Sequence, residues 1–130
     1  MRKNESIFSG WIEKIQNSEK ILCNVDEELS LTSADDVAKA IEILLKNNKK
    51  GIYHVDSMEH KKRIEFAKEF FKHLNIENSN LRECSEKNFN FLEKRAKNQT
   101  LDSTKFKTET GFEFTRINDL FDKIIENHFS

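Results

Sequence analysis

The chain has 130 residues, 36% hydrophobic and 35% charged, with 11 Phe to help fill a small core; that is the length of one domain, 1–130, and it excludes wholesale disorder. A formal net charge of -1 gives no general attraction to nucleic acid or to an anionic membrane, and no apolar run approaches a membrane span. The N-terminus lacks an apolar signal core and Cys23 and Cys84 lack CxxC spacing, so free thiols in a reducing cytoplasm are expected.

Pro is absent and Gly is scarce, which removes most of the usual loop punctuation. Phe8, Trp11, Ile12 and Ile15 recur at helical spacing behind Asn4 or Ser6 as candidate caps. Lys20–Val25 reads as a short strand. Thr32 or Ser33 then caps a helix whose first turn carries Asp35 and Asp36, where the helix dipole favours negative charge. Val37, Ile41, Leu44 and Leu45 are its expected buried stripe, and Gly51 its stop.

Ile52–Val55 has strand character and follows that glycine at once. A long amphipathic helix is predicted from about Met58 to Leu74, with Ile64, Ala67, Phe70, Phe71 and Leu74 inward. Residues 75–80 read as a loop, and Leu81–Cys84 as a second, parallel strand. Phe89, Phe91 and Leu92 fall on a short helix or turn. The segment from Arg95 to Asp102 is read as extended. Ser103 to Thr110 is a short helix closed by Gly111, and a last helix runs from about Thr115 to Asn127. Ile117, Leu120, Phe121, Ile124 and Ile125 are its expected buried residues. The class is α/β, or α+β, with several helices and a few short parallel strands.

Chemistry-bearing patterns are sparse. Phosphate cradles need clustered glycines, and Gly10, Gly51 and Gly111 are scattered. The histidines have no HExxH spacing and the cysteines no metal-ligand spacing, so no metal site is expected. Neither thiol has an activating partner in the sequence. Basic runs at Lys46–Lys50 and Lys61–Arg63 read as solvated helix ends and faces. The acidic run Asp26–Glu28 reads as a turn. Arg95 stands out because a guanidinium fork suits diphosphate oxygens. Lys94 and Lys97 add positive charge beside it, and Asn98 can donate to oxygen acceptors. The plain structural reading of the same residues is an exposed basic loop.

Three segments in order carry a resemblance: Thr32 with Asp36-Val-Ala-Lys-Ala-Ile41, then Gly51-Ile-Tyr-His54, then Arg95-Ala-Lys-Asn98 leading to Leu101-Asp102-Ser-Thr-Lys105. Together with Gly111-Phe112 and the last helix they resemble the C-terminal, substrate-binding half of extended short-chain dehydrogenases, in particular the dTDP-4-dehydrorhamnose reductases. Leu31 and Ala96 stand where that family commonly has Pro, and the change at 96 removes a restraint on the loop holding Arg95.

The resemblance implies a nucleotide-sugar site, with a dTDP-sugar as ligand and Arg95, Asn98 and Lys97 facing the nucleotide or its phosphates. Thr32 and Asp36 would orient and cap a helix, and Asp102 would fix the turn into the next one. The catalytic residues and the NADPH or NADH site of such enzymes lie in a Rossmann-type half that this stretch does not contain. The family's catalytic pair is a Tyr and a Lys four residues on; the only Tyr here is Tyr53, and position 57 is Ser. No catalytic residue and no cofactor is therefore expected in this chain. A missing Rossmann-type domain or a second copy is expected as partner, for enzymes of cell-surface polysaccharide synthesis. The alternative is a non-catalytic interaction or regulatory module on the same fold.

Overall fold

A computed structural model describes residues 6–76, 81–84 and 96–129. In chain order the elements are α1 (Ile7–Gln16), β1 (Ile21–Asn24), β2 (Glu28–Ser30), α2 (Ala34–Lys46), β3 (His60–Lys62), α3 (Arg63–His73), β4 (Leu81–Cys84), α4 (Thr104–Thr110) and α5 (Ile117–Phe129). The class is α/β, with helices packed on one parallel and one antiparallel strand pair.

Ser6 opens α1 through a reciprocal capping box with Ser9. The helix buries Phe8, Trp11 and Ile12, the face its spacing predicts. The expected parallel pair forms: β1 runs beside β4 with Ile21 opposite Leu81 and Asn24 opposite Cys84. The chain returns between them through α2 and α3, as a parallel connection requires. The helix α3 lays Ile64, Phe66, Ala67, Phe70 and Phe71 against β1, and α5 adds Ile117 and Phe121. Phe8, Phe70 and Phe121 meet as a triangle of rings, with centroids 5.0, 5.4 and 5.8 Å apart. A separate aromatic group joins the buried Phe106 of α4 to Phe112 and Phe114.

Several expectations are corrected. Ile52–Val55 is not a strand, and makes no backbone–backbone hydrogen bond to another described residue. β-branched residues favour a strand only where a ladder partner exists. Here side chains of α4 and its neighbourhood hold the segment instead: Tyr53 donates to Glu109, and Lys105 donates to the carbonyl of Ile52. The helix expected from Met58 begins at Arg63. Met58 sits at φ 65°, a left-handed conformation that cannot start a helix, and Asp56 Oδ1 accepts its N–H. His60–Lys62 then pair antiparallel with Glu28–Ser30, two short strands that polar side chains hid from a pattern search.

Ser33, not Thr32, caps α2, accepting from the N–H of Asp36. The helix stops at Asn47 and Asn48, the latter at φ 49°, ahead of Gly51. Its buried edge is Asp36 and Ala40. Ile41 and Leu45, expected inside, are 51% and 73% exposed, while Val37 and Leu44 are half-buried. The stripe is rotated because a buried carboxylate takes the place that an aliphatic side chain was expected to fill.

Candidate functional site

The segment from Ala96 to Ser103 lies along β2 and ends at α4. At its near end the backbone pairs with β2: Glu28 N–H donates to the carbonyl of Lys97 at 2.6 Å, and Gln99 N–H donates to the carbonyl of Glu28 at 2.8 Å. This is a parallel bridge between Glu28 and Asn98. Beneath it the Glu27 carboxylate is buried, 5% exposed. One of its oxygens accepts from the Arg63 Nε at 2.8 Å and the other from the side-chain amide of Gln99. Asn24 Oδ1 accepts the N–H groups of Asp26 and Glu27, which fixes the turn that delivers Glu27.

At its far end the segment is tied to Asp56, itself 4% exposed. Asp56 Oδ2 accepts from Leu101 N–H at 2.8 Å and from the Ser30 hydroxyl at 2.5 Å. The backbone of Asp56 closes a reciprocal pair with Ser103: Asp56 N–H donates to Ser103 Oγ at 2.7 Å, and that hydroxyl donates to the Asp56 carbonyl at 2.8 Å. Ser103 is fully buried. A buried carboxylate is tolerated only when donors satisfy it, and both carboxylates here have them.

From the near anchor, Asn98 Oδ1 reaches along the segment and accepts from the N–H and hydroxyl of Thr100, at 3.0 and 2.5 Å. Its Nδ2 is the group left to donate. Lys97 is exposed. Asp102 Oδ1 accepts from the N–H and hydroxyl of Thr104, at 2.9 and 2.5 Å, and those bonds hold its carboxyl below the usual range. Thus Lys97, Asn98 and Asp102 lie on one anchored segment. Lys94, Arg95 and the short helix or turn assigned to Phe89, Phe91 and Leu92 lie outside the described residues. Thr32 and Asp36 sit elsewhere. Thr32 Oγ1 accepts from Ser57 N–H, next to Asp56, and Asp36 reaches to Thr115.

Glu27, Asp56 and Ser103 were not legible as site residues. Asp56 carried one usable signal, an Asp two residues before a turn position, which is Asx-turn chemistry. Glu27 carried none.

Elsewhere, His73 places Nδ1 at 3.1 Å from Asp122 and Nε2 at 3.2 Å from Asn118 Oδ1, beside an open cavity of about 440 Å³ lined by Glu69, Lys72, His73 and Asn118. The hydroxyl of Tyr53 donates to Glu109 at 2.9 Å, which raises the phenol above its ordinary range and lowers the carboxyl. Lys49 holds the same Glu109 oxygen at 3.2 Å, and Lys105 lies 4.2 Å over the Tyr53 ring. Burial pushes the Cys23 thiol up to about 11. Among the described residues no group of three His, Cys, Asp or Glu side chains is placed to hold a metal ion.

The profile of the family described as RmlD substrate binding domain matches residues 3–128, nearly the full chain. The chain belongs to that family. Among solved structures, a dTDP-4-dehydrorhamnose reductase from Bacillus anthracis superposes with a TM-score of 0.83 at 21% identity, covering 96% of this chain and 44% of that one. That enzyme was solved in complex with NADP. A dTDP-4-dehydrorhamnose reductase from Clostridium acetobutylicum gives 0.80 at 17% identity, covering 97% of this chain and 46% of that one. A dTDP-glucose 4,6-dehydratase from Bacillus anthracis, in complex with NAD, gives 0.74 at 11% identity, covering 95% and 40%. At such identities the superpositions establish a shared fold. The chain spans less than half the length of these solved proteins. No curated protein matches it.

Proposed function

We propose that this chain is the nucleotide-sugar-binding part of a dTDP-4-dehydrorhamnose reductase-like enzyme, folding as one unit over 1–130 and not catalytic alone. The observation that carries the reading is the 97–102 segment, bridged to β2 at Glu28, held by buried carboxylates at Gln99 and Leu101, and presenting Lys97 and the Asn98 amide just ahead of them. An amide donor oriented by the bonds to its own oxygen, beside an exposed ammonium, suits a diphosphate. Arg95, three residues before Asn98, is assigned to the same ligand as its bidentate cation. Thr32, Asp36 and Asp102 are structural in this reading. A dTDP-sugar is the ligand class, after the named substrates of the similar solved enzymes. NADPH or NADH and the reacting side chains belong to a Rossmann-type partner. The cytoplasm is the proposed place of work; no helix among the described residues is long and apolar enough to cross a membrane.

Contact with such a partner is supported by the exposed apolar side chains of Ile41 and Leu45 on α2 and, separately, of Ile52, 77% exposed, in a strand-type segment with no described ladder. The same side chains support the second reading, a non-catalytic module that docks on a partner or on its own copy. An amide NMR titration with a dTDP-sugar and then with NADPH separates the two. Shifts at Lys97–Asp102 with the dTDP-sugar alone are expected for the substrate-binding part. A folded spectrum unmoved by either ligand would reject it in favour of the docking module.

A further inference from the structure

Asp56 is buried, yet its carboxylate holds the far end of the 97–102 segment. Its Oδ2 joins Leu101 N–H to the Ser30 hydroxyl at the end of β2, and its Oδ1 accepts Met58 N–H, holding the left-handed turn. Its backbone is interlocked with the buried Ser103 hydroxyl. One buried residue thus joins β2, the turn before β3 and the candidate binding segment through its side chain, and the start of α4 through its backbone. Leu101 itself is 47% exposed and supplies little packing to hold the segment in place. The lock on this end is polar and runs through Asp56.

We infer that Asp56 is a positioning residue for ligand binding: it sets the affinity of the 97–102 segment for a nucleoside diphosphate sugar without contacting it, by removing the freedom the segment would otherwise lose on binding. This rests on the nucleotide-sugar reading above. The shape of Asp56 matters as well as its charge, because its oxygens serve different elements. Asn in its place keeps one acceptor and puts a donor where the other stood, opposing either Met58 N–H or the donors from Leu101 and Ser30.

The test compares the full chain with Asp56→Asn and with Ser30→Ala, a milder change that removes one donor from Oδ2. Amide hydrogen exchange and the dissociation constant for a dTDP-sugar are read on each. Asp56→Asn is expected to speed exchange at Leu101 at least about tenfold while Phe70 and Ile12 in the core keep their rates, and to weaken the dTDP-sugar about tenfold, the equivalent of one lost hydrogen bond. Ser30→Ala should move both in the same direction by less, and it carries the test if Asp56→Asn does not fold. Unchanged exchange at Leu101 overturns the inference. So does faster exchange at Leu101 with unaltered affinity in a chain that binds. If no form binds the dTDP-sugar, the affinity role fails with the nucleotide-sugar reading, whereas normal binding that ignores both substitutions fails the inference alone.

Discussion

Asp36 and Thr115, 79 residues apart, are joined through both oxygens of one carboxylate: Oδ2 accepts Thr115 N–H at 2.7 Å and Oδ1 accepts its hydroxyl at 3.0 Å. Asp36 is 4% exposed and lies in the first turn of α2, so it serves its own helix dipole while holding the approach to α5. Asp36→Ala would leave the Thr115 groups without a partner in a half-buried place. A loss of roughly 1.5–3 kcal/mol is expected, the range for hydrogen bonds to a charged group. Urea unfolding followed by circular dichroism measures it; a loss under about 0.5 kcal/mol would show that water replaces the carboxylate at no cost.

Glu27 is the corresponding joint at the other end of the candidate binding segment. Glu27→Ala strips Arg63 and Gln99 of their shared acceptor and leaves the Arg63 guanidinium without its carboxylate. Breaking a buried pair from one side costs about 3–5 kcal/mol, and the 26% exposure of the Arg63 side chain lowers the expectation to roughly 2–3. Replacing both residues, Glu27→Ala with Arg63→Met, should recover much of that loss. Denaturant midpoints of the single and double variants form the cycle, and strict additivity would contradict the pairing.

Cys23 gives a pH signature. Its thiol is raised from 9.0 to about 11, chiefly by burial. The unfolded chain therefore releases this proton first. The contribution to stability is complete below about pH 9 and fades as pH rises through the folded value, by roughly 2–3 kcal/mol at about 1.4 per pH unit. Unfolding free energies from pH 8 to 11 should fall in wild type and fall less in Cys23→Ala. At pH 7.5 a thiol reagent should label Cys84 well before Cys23, because Cys84 is only partly covered.

Gly111 ends α4 at φ 68°, ψ 14°, with its N–H donating to the Lys107 carbonyl. No atom crowds a Cβ placed there, so the cost of Gly111→Ala is that of the left-handed backbone alone. About 1 kcal/mol of destabilisation is expected in thermal melts, and Gly111→Asn should cost less.

The exposed stripe of α2 separates stability from assembly. Leu45→Lys should change the unfolding free energy by no more than about 0.5 kcal/mol, since Leu45 is 73% exposed. In a complex with a Rossmann-type partner, the same substitution should weaken association at least about tenfold by pull-down or calorimetry. Unaltered association would remove this helix from the docking face.

How much of this could be read beforehand depended on where each element finds its partners. The amphipathic helices α1, α3 and α5 were legible because their apolar faces answer to one core. The parallel strand β1 was legible as a short apolar run, and β4 as Leu81 and Cys84 enclosing two charged residues after a polar loop. β2 and β3 were not, since Glu28, Ser30, His60, Lys61 and Lys62 pair through backbone and bury little. Ile52–Val55 failed in the opposite sense: it has the side chains of a strand and no described ladder. In α2 the carboxylate of Asp36 turned a polar residue inward and Ile41 and Leu45 outward, which no periodicity argument anticipates. Of the binding segment, Lys97, Asn98 and Asp102 were visible as a motif. The buried carboxylates beneath it were invisible, because their meaning comes from donors far away in sequence.

The ring contact between Phe8 of α1 and Phe121 of α5 bears on synthesis as well as on stability. A ribosome releases Phe8 long before Phe121 exists, so the pocket formed by Phe8, Trp11 and Phe70 stays open through most of translation. Until the final helix emerges, that apolar surface lacks the cover that Phe121 gives it in the folded chain. Production of this chain is therefore expected to be more sensitive to losing its final helix than to any change in the 97–102 segment.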